Sequence, residues 1–203
     1  MFMSQLIIPS QIIYVNNILV VIKKITNTLD EQKPKFMYIM GLHGFANHDS
    51  GACIVKFSNH GMVDFIAISE ERLIRKKYPY SFPIHSIAYC MEHYGLDKLS
   101  QIDLIVTDYI RLKRWFSSGP AYNVSEFDYL KIKLDYDPKK IILIDHHLAH
   151  AASVFYTSGF DESSILIIDG NGSDLQTTSY LKGQYDKIDQ IDTYKSHGIG
   201  TVY

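Results

Sequence analysis

Cysteine is scarce in this chain, with Cys53 and Cys90 the only two among 203 residues. Two cysteines build no disulfide framework, which excludes a small cross-linked secreted scaffold and suits a reducing cytoplasm. Cys53 falls in an expected strand and Cys90 in an expected helix, where a free thiol serves as a small hydrophobe. An excess of one charge is lacking too: 20 Lys and Arg stand against 22 Asp and Glu, a formal net charge of -2. That leaves no electrostatic footprint for nucleic acid or an anionic membrane, and neither is expected as a partner. Also missing is a clean apolar run of membrane-spanning length. Leu6 to Ile22 comes nearest, but Pro9, Gln11, Asn16 and Asn17 interrupt it, short of the roughly twenty apolar residues a span needs. No basic residue precedes this run and no small-residue cleavage site is evident, which speaks against a secretory signal. Lys33-Pro34-Lys35-Phe36 then breaks the pattern. Residues 1 to 36 therefore read as an N-terminal extension or a misassigned start, with a membrane anchor as the lesser alternative.

What is present is an ordinary globular composition, 46% hydrophobic and 21% charged, enough for one good core or two small ones. From Tyr38 an α/β pattern emerges. Tyr38 to Leu42, Ala52 to Phe57 and Val63 to Ser69 are three expected strands, separated by a polar loop (His43 to Ser50) and a turn at Asn59-His60-Gly61. Ile84, Ile87, Ala88, Met91 and Tyr94 recur with helical spacing, and Gly95 offers a stop. A buried strand follows at Ile102 to Thr107, then an aromatic and charged stretch, Tyr109 to Leu134, read as loop plus helix. Ile141 to Ile144 is another strand. The opening pattern then returns: strand Ile165 to Ile168, loop Gly170 to Asp174, strand Gln176 to Leu181, turn Lys182-Gly183-Gln184, strand Ile188 to Tyr194. Such a repeat is how duplicated actin-like and Hsp70-like ATPases are built, with hairpin loops facing nucleotide phosphates across a cleft. Hairpins with Gly and Asp turns are also common without duplication.

The segment Asp145-His146-His147-Leu148-Ala149-His150 is the most informative in the chain. If a helix begins at about Asp145, that residue suits the N-cap and His146 and His150 project side by side, within reach of one ion. Imidazole pairs suit iron, zinc or nickel better than magnesium, and spacing alone does not choose among them. Asp169, after the next apolar run, brings a carboxylate to a strand's C-terminal end and completes a two-histidine, one-carboxylate set. Two other segments carry polar groups. The loop Phe45 to Ala52 holds His48, Asp49 and Ser50 with exposed backbone donors, suited to a phosphate or carbamoyl oxygen, although a plain hairpin loop explains it equally well. Glu70-Glu71-Arg72 with Arg75-Lys76-Lys77 reads first as a solvated charged face, and second as the source of a base that reaches an anionic substrate.

Taken together, Met40-Gly41-Leu42, His48-Asp49-Ser50, Glu70-Glu71-Arg72 with the following basic residues, Asp145 to Tyr156 and Ile168-Asp169-Gly170 resemble the N-terminal part of the O-carbamoyltransferases of antibiotic and nodulation-factor biosynthesis. The resemblance runs from about Tyr38 onward, and its most specific element is Asp145 to Tyr156. It implies a Kae1-like domain of duplicated ribonuclease H-like (actin-like) architecture, followed by a YrdC-like domain. Residues 37 to 162 would form the first half of the Kae1-like domain, and 163 to 203 the beginning of a second half cut off after three strands. The implied enzyme uses ATP, with Mg2+, and carbamoyl phosphate to make carbamoyl adenylate, then passes the carbamoyl group to the hydroxyl of a small-molecule acceptor. By motif, His146, His150 and Asp169 are the implied ligands of an iron-type divalent metal. His48, as a catalytic and substrate-binding residue, and Asp49 and Lys77 would contact substrate, and Gly170 and Gly172 would line the nucleotide loop. Lys76 is an alternative to Lys77.

The chain departs from the family at Ser69, Leu73 and Tyr78, where a glutamate, a phenylalanine and a histidine are usual. A further metal-binding aspartate and the YrdC-like domain would lie beyond Tyr203, in the same full-length chain or a second one. The chain alone is expected to be inactive and poorly covered on its second sheet. Two alternatives are a non-catalytic metal-binding remnant or split-enzyme subunit, and a relative of the tRNA threonylcarbamoyl-transfer proteins. The His48-Asp49-Ser50 and Glu70-Glu71-Arg72 elements, and the lack of a basic surface, point away from the latter.

Overall fold

The computed structural model describes residues 36–43, 50–58, 61–77, 79, 81–109, 136–170, 172–195 and 198. The N-terminal extension, the loop bearing His48 and Asp49, and most of the stretch read as loop plus helix lie outside them. A five-stranded mixed sheet runs in the order β3-β2-β1-β4-β5. Its members are β1 (Met37–His43), β2 (Gly51–Ser58), β3 (Gly61–Ser69), β4 (Leu104–Tyr109) and β5 (Ile141–Asp145). The first three pair antiparallel, while β4 joins β1 and β5 joins β4 in parallel. This α/β architecture is consistent with a ribonuclease H-like, actin-like fold.

The central strand β1 is a continuous apolar run because both its faces are covered. Met40 and Leu42 join Ala52, Ile54 and Ile105 against helix α2 (Ile84–His93), while Ile39 joins Cys53, Val55, Val106, Ile144 and Ala149 on the opposite face. The sequence periodicity placed Ile84 and Ala88 on the inner stripe of α2. Ile87 and Met91 are buried as expected, but Ser86 and Cys90 are buried in place of Ile84 and Ala88, so the stripe is rotated and Ile84 is 48% exposed. The short helix α1 (Glu70–Ile74) explains the rotation, because its buried Glu70 draws Ser86 inward by hydrogen bonds. Gly95 takes the left-handed φ of 65° just past α2, as a helix stop requires. Both cysteines are free and buried. Burial, with Cys90 close by, pushes the Cys53 thiol well up, and burial pushes Cys90 up to about 12, which fits the packing role.

Helix α3 (His146–Ser158) follows β5 directly and carries the chain to a second sheet, the antiparallel meander of β6 (Glu162–Ile168), β7 (Thr178–Gln184) and β8 (Lys187–Tyr194). Ala151 and Phe155 of α3 pack on Ile165, Ile167 and Leu181. The expected turn at Lys182-Gly183-Gln184 is instead the end of β7, and the chain reverses at Tyr185-Asp186. Gly183 is there for space rather than for turning: a Cβ would lie 2.5 Å from Phe155 Cδ2. No helix among the described residues is long and apolar enough to cross a membrane.

Candidate functional site

Aspartates gather where strands end. Asp108 is the penultimate residue of β4, Asp145 closes β5, and Asp169 follows β6. Parallel pairing of β4 with β5 sets Asp108 opposite Ile144, so Asp108 and the start of α3 share one end of the sheet. Pairing of Leu42 with Thr107 brings His43, the last residue of β1, to the same place.

Asp145 is the N-cap of α3, as its position in the sequence predicts, accepting the Leu148 N–H at 3.0 Å. Its other oxygen accepts from Gln176 Nε2 at 2.9 Å, and Gln176 Oε1 accepts the Asp174 N–H at 2.6 Å. The His146 N–H donates to Ser173 Oγ at 2.7 Å. The helix start and the loop after Asp169 are thereby tied together. Gly172 permits this closeness, because a Cβ there would lie 2.6 Å from His147 Cδ2, and its own N–H is taken by Gln176 O at 2.7 Å. Gly170 donates to Asp169 Oδ1 at 2.6 Å, and nothing would lie within 4 Å of a Cβ there.

Within this frame the three expected metal ligands converge. His146 Nε2 is 3.1 Å from His150 Nε2 and 2.9 Å from Asp169 Oδ2, and His150 Nε2 is 3.7 Å from the same oxygen. Asp169 Oδ2 is buried, and no N–H or O–H among the described residues points at it in hydrogen-bonding geometry. Ligands about 2.0–2.2 Å from a common ion and about 90–110° apart are separated by about 2.8–3.6 Å; two of the three separations fall in that range and the third, at 3.7 Å, lies just beyond it, so the donor types and spacing suit a divalent cation. Burial would lower the His146 pKa, but the hydrogen bond and charge of Asp108, with the Asp169 carboxylate close by, push it up to about 10. Burial likewise raises Asp169, and the rings of His146 and His150 more than reverse this, holding the carboxyl well below its usual range.

Three residues at the site, Asp108, His43 and His147, escaped the sequence reading. Asp108 meets His43 Nδ1 with one carboxylate oxygen and His146 Nδ1 with the other, both within hydrogen-bond distance. Burial would raise its pKa, but the two rings drive it far down. The available signal was an apolar run ending in aspartate, the same signal that exposed Asp169. His147, fully buried, meets Ser179 Oγ at 2.7 Å through Nδ1 and lies 3.8 Å from Asp169 Oδ2 through Nε2. Lys77 stands apart from this cluster. It is exposed and bonds Glu71 at 3.1 Å.

Residues 109–203 match the family model described as the carbamoyltransferase N-terminus. The chain is 31% identical over 195 residues to the uncharacterized protein sll1178 of Synechocystis sp., an alignment covering 82% of this chain and 31% of that protein. It is 32% identical over 173 residues to the nodulation protein NolNO of Sinorhizobium fredii, covering 77% of this chain and 24% of that protein. The chain thus spans about a third and about a quarter of the length of these curated relatives. The family match takes in both histidines and Asp169, so the segment that builds this site is the part of the chain that is similar to the carbamoyltransferase N-terminus.

Proposed function

We propose that this chain is the N-terminal portion of an ATP- and carbamoyl-phosphate-dependent O-carbamoyltransferase. The observation that carries the reading is the convergence of His146, His150 and Asp169 inside the family-matched segment. These residues would hold a divalent ion of the iron type, with two neutral imidazoles and one carboxylate as its ligands. When bound, such an ion supplies a Lewis acid for the carbamoyl carbonyl or its adenylate leaving group. Asp145 and Ser173 fix the start of α3, and with it the angle at which His146 enters the site. Asp108 keeps His146 Nε2 turned toward Asp169.

In this reading His48, Asp49 and Lys77 contact carbamoyl phosphate or the adenylate, and the open backbone at Gly170 faces ATP and its Mg2+, with Gly172 keeping the loop close to His147. Two meanders of three strands, β1-β2-β3 and β6-β7-β8, support a duplicated actin-like domain whose second half starts at β6. The relatives' greater length leaves room for the rest of that half and for a YrdC-like domain, in the same chain or a second one. The acceptor is a small molecule with a free hydroxyl, and the protein works in the cytoplasm.

The test has two parts. The complete protein should exchange pyrophosphate into ATP only when carbamoyl phosphate is present, whereas an enzyme that receives a ready-made adenylate would not. Purified wild type should retain iron or zinc that the His146→Ala, His150→Ala double variant loses. Equal metal content in both proteins would overturn the site.

A further inference from the structure

The side chains of His43, Asp108 and His146 form a second cluster behind the three proposed ligands. All three are buried, with 7%, 4% and 7% of their surface exposed. His43 Nδ1 lies 2.8 Å from Asp108 Oδ1, and His146 Nδ1 lies 2.5 Å from Asp108 Oδ2. The two rings lie within 26° of parallel, with centroids 6.0 Å apart, on either side of one carboxylate. Three strands supply the arrangement, since His43 ends β1, Asp108 lies near the end of β4, and His146 follows β5.

We propose that Asp108 is the positioning residue of this site, holding both His43 and His146 in the form that carries hydrogen on Nδ1 and presents Nε2. The proposal rests on the metal reading given above only in what it says His146 Nε2 is for. An ionised carboxylate accepts and cannot donate, so each ring nitrogen facing it must carry a hydrogen. For His146 this leaves Nε2 as the atom that faces Asp169 and His150, and a histidine whose other nitrogen is anchored to a carboxylate is both oriented and made a better ligand. The same carboxylate extends its hold to β1, whose next residues lead into the loop bearing His48. The cluster also has the composition of a metal site in its own right. The 2.8 Å separation of His43 Nδ1 from the carboxylate is, however, that of a charge-assisted hydrogen bond, and the 2.5 Å separation of His146 Nδ1 is shorter than two ligands of one ion would stand.

Asp108→Asn separates positioning from bulk. Its amide keeps the shape but presents one oxygen and one NH2, so one of the two rings must give up its Nδ1 hydrogen and become an acceptor. In the chain carrying 15N-labelled histidine, wild type should show hydrogen on Nδ1 of both His43 and His146. Asp108→Asn should convert one of them to the form with hydrogen on Nε2 alone. Titration with Co2+, followed by its absorption bands, should show binding weakened roughly 10–100-fold in Asp108→Asn. A wild-type spectrum with a bare Nδ1 on His146 would overturn the proposal even if the variant failed to fold. Unchanged rings in a folded Asp108→Asn would overturn it as well. Should the wild type and the His146→Ala, His150→Ala variant bind Co2+ equally, the metal reading fails, and the ring spectra still decide the role of Asp108.

Discussion

Glu70 accepts the N–H and the hydroxyl of Ser86 on one carboxylate oxygen, at 2.7 and 2.6 Å, and so caps a helix to which it does not belong. Its other oxygen takes the N–H and the ring Nδ1 of His85, at 3.2 and 2.6 Å. Helix α2 needs the service because its N-cap is Pro83, which has no side-chain acceptor. The Glu70 N–H meanwhile donates to Ser50 O at 2.8 Å, so the His48-Asp49-Ser50 and Glu70-Glu71-Arg72 motifs meet at this residue. The charged segment is therefore not a solvated face at its first position. Glu70 is 1% exposed and structural.

Glu70→Gln should destabilise the protein by about 1–3 kcal/mol, because a carboxamide presents an NH2 to one pair of donors and leaves them without an acceptor. Glu70→Ala should cost at least as much. Urea unfolding of the three proteins would measure it. Midpoints within experimental error of one another would mean that water replaces the carboxylate and that the cap contributes nothing.

The same pair dictates a pH dependence. Burial raises the Glu70 pKa, but the donors from Ser86 and His85 outweigh it and the folded value lies below the ordinary 4.5. A carboxyl with a depressed folded pKa contributes stability that is fully present above its unfolded value and is lost as pH falls through the folded value. The stability gap between wild type and Glu70→Gln should therefore be constant from neutrality down to about pH 5 and shrink below about pH 4. A gap that holds its size into that acid range would show that the carboxylate charge is irrelevant.

Gly183 and Phe155 make a second coupled pair. An alanine methyl at 183 would lie 2.5 Å from Phe155 Cδ2, and the ring is 2% exposed with little room to retreat. Gly183→Ala should cost about 1–3 kcal/mol by overpacking. Phe155→Leu removes the obstructing ring, so the double variant should be more stable than the sum of the single losses implies, by about 0.5–3 kcal/mol. Strict additivity in a thermal or urea double-mutant cycle would remove Phe155 as the reason for glycine.

What could be seen in the sequence and what could not divides along local and non-local physics. The start of α3 was visible because an apolar run, an N-cap aspartate and an i, i+4 histidine pair lie within a few residues of one another. Asp169 was visible for the same reason. Asp108 was passed over although it too follows an apolar run, because no candidate ligand stands near it in the sequence and its partners arrive through pairing of β4 with β1 and β5. His43 was assigned to the polar loop because the apolar run ends at Leu42, whereas β1 continues one residue further and brings His43 to Asp108. Gly183 looked like a turn because a glycine needed for close packing and one needed for chain reversal are the same letter.

Asp145 has two duties that can be separated, and doing so tests whether the loop after Asp169 is held by the helix start. One oxygen caps α3 through Leu148, and the other accepts from Gln176, whose own oxygen accepts from Asp174. Asparagine is as good an N-cap as aspartate, so Asp145→Asn should preserve the helix, whereas Asp145→Ala should cost about 0.5–2 kcal/mol. The new NH2 would nevertheless face the Gln176 NH2, and Gln176 cannot turn over without abandoning the Asp174 N–H. Hydrogen exchange should then speed up at Asp174 in Asp145→Asn while the amides of α3 keep their protection. Because Asp169 sits on that loop and His146 on the helix, metal retention should fall in Asp145→Asn despite near-normal stability. Unchanged exchange at Asp174 would mean the loop holds its shape through Ser173 and Gly172 alone.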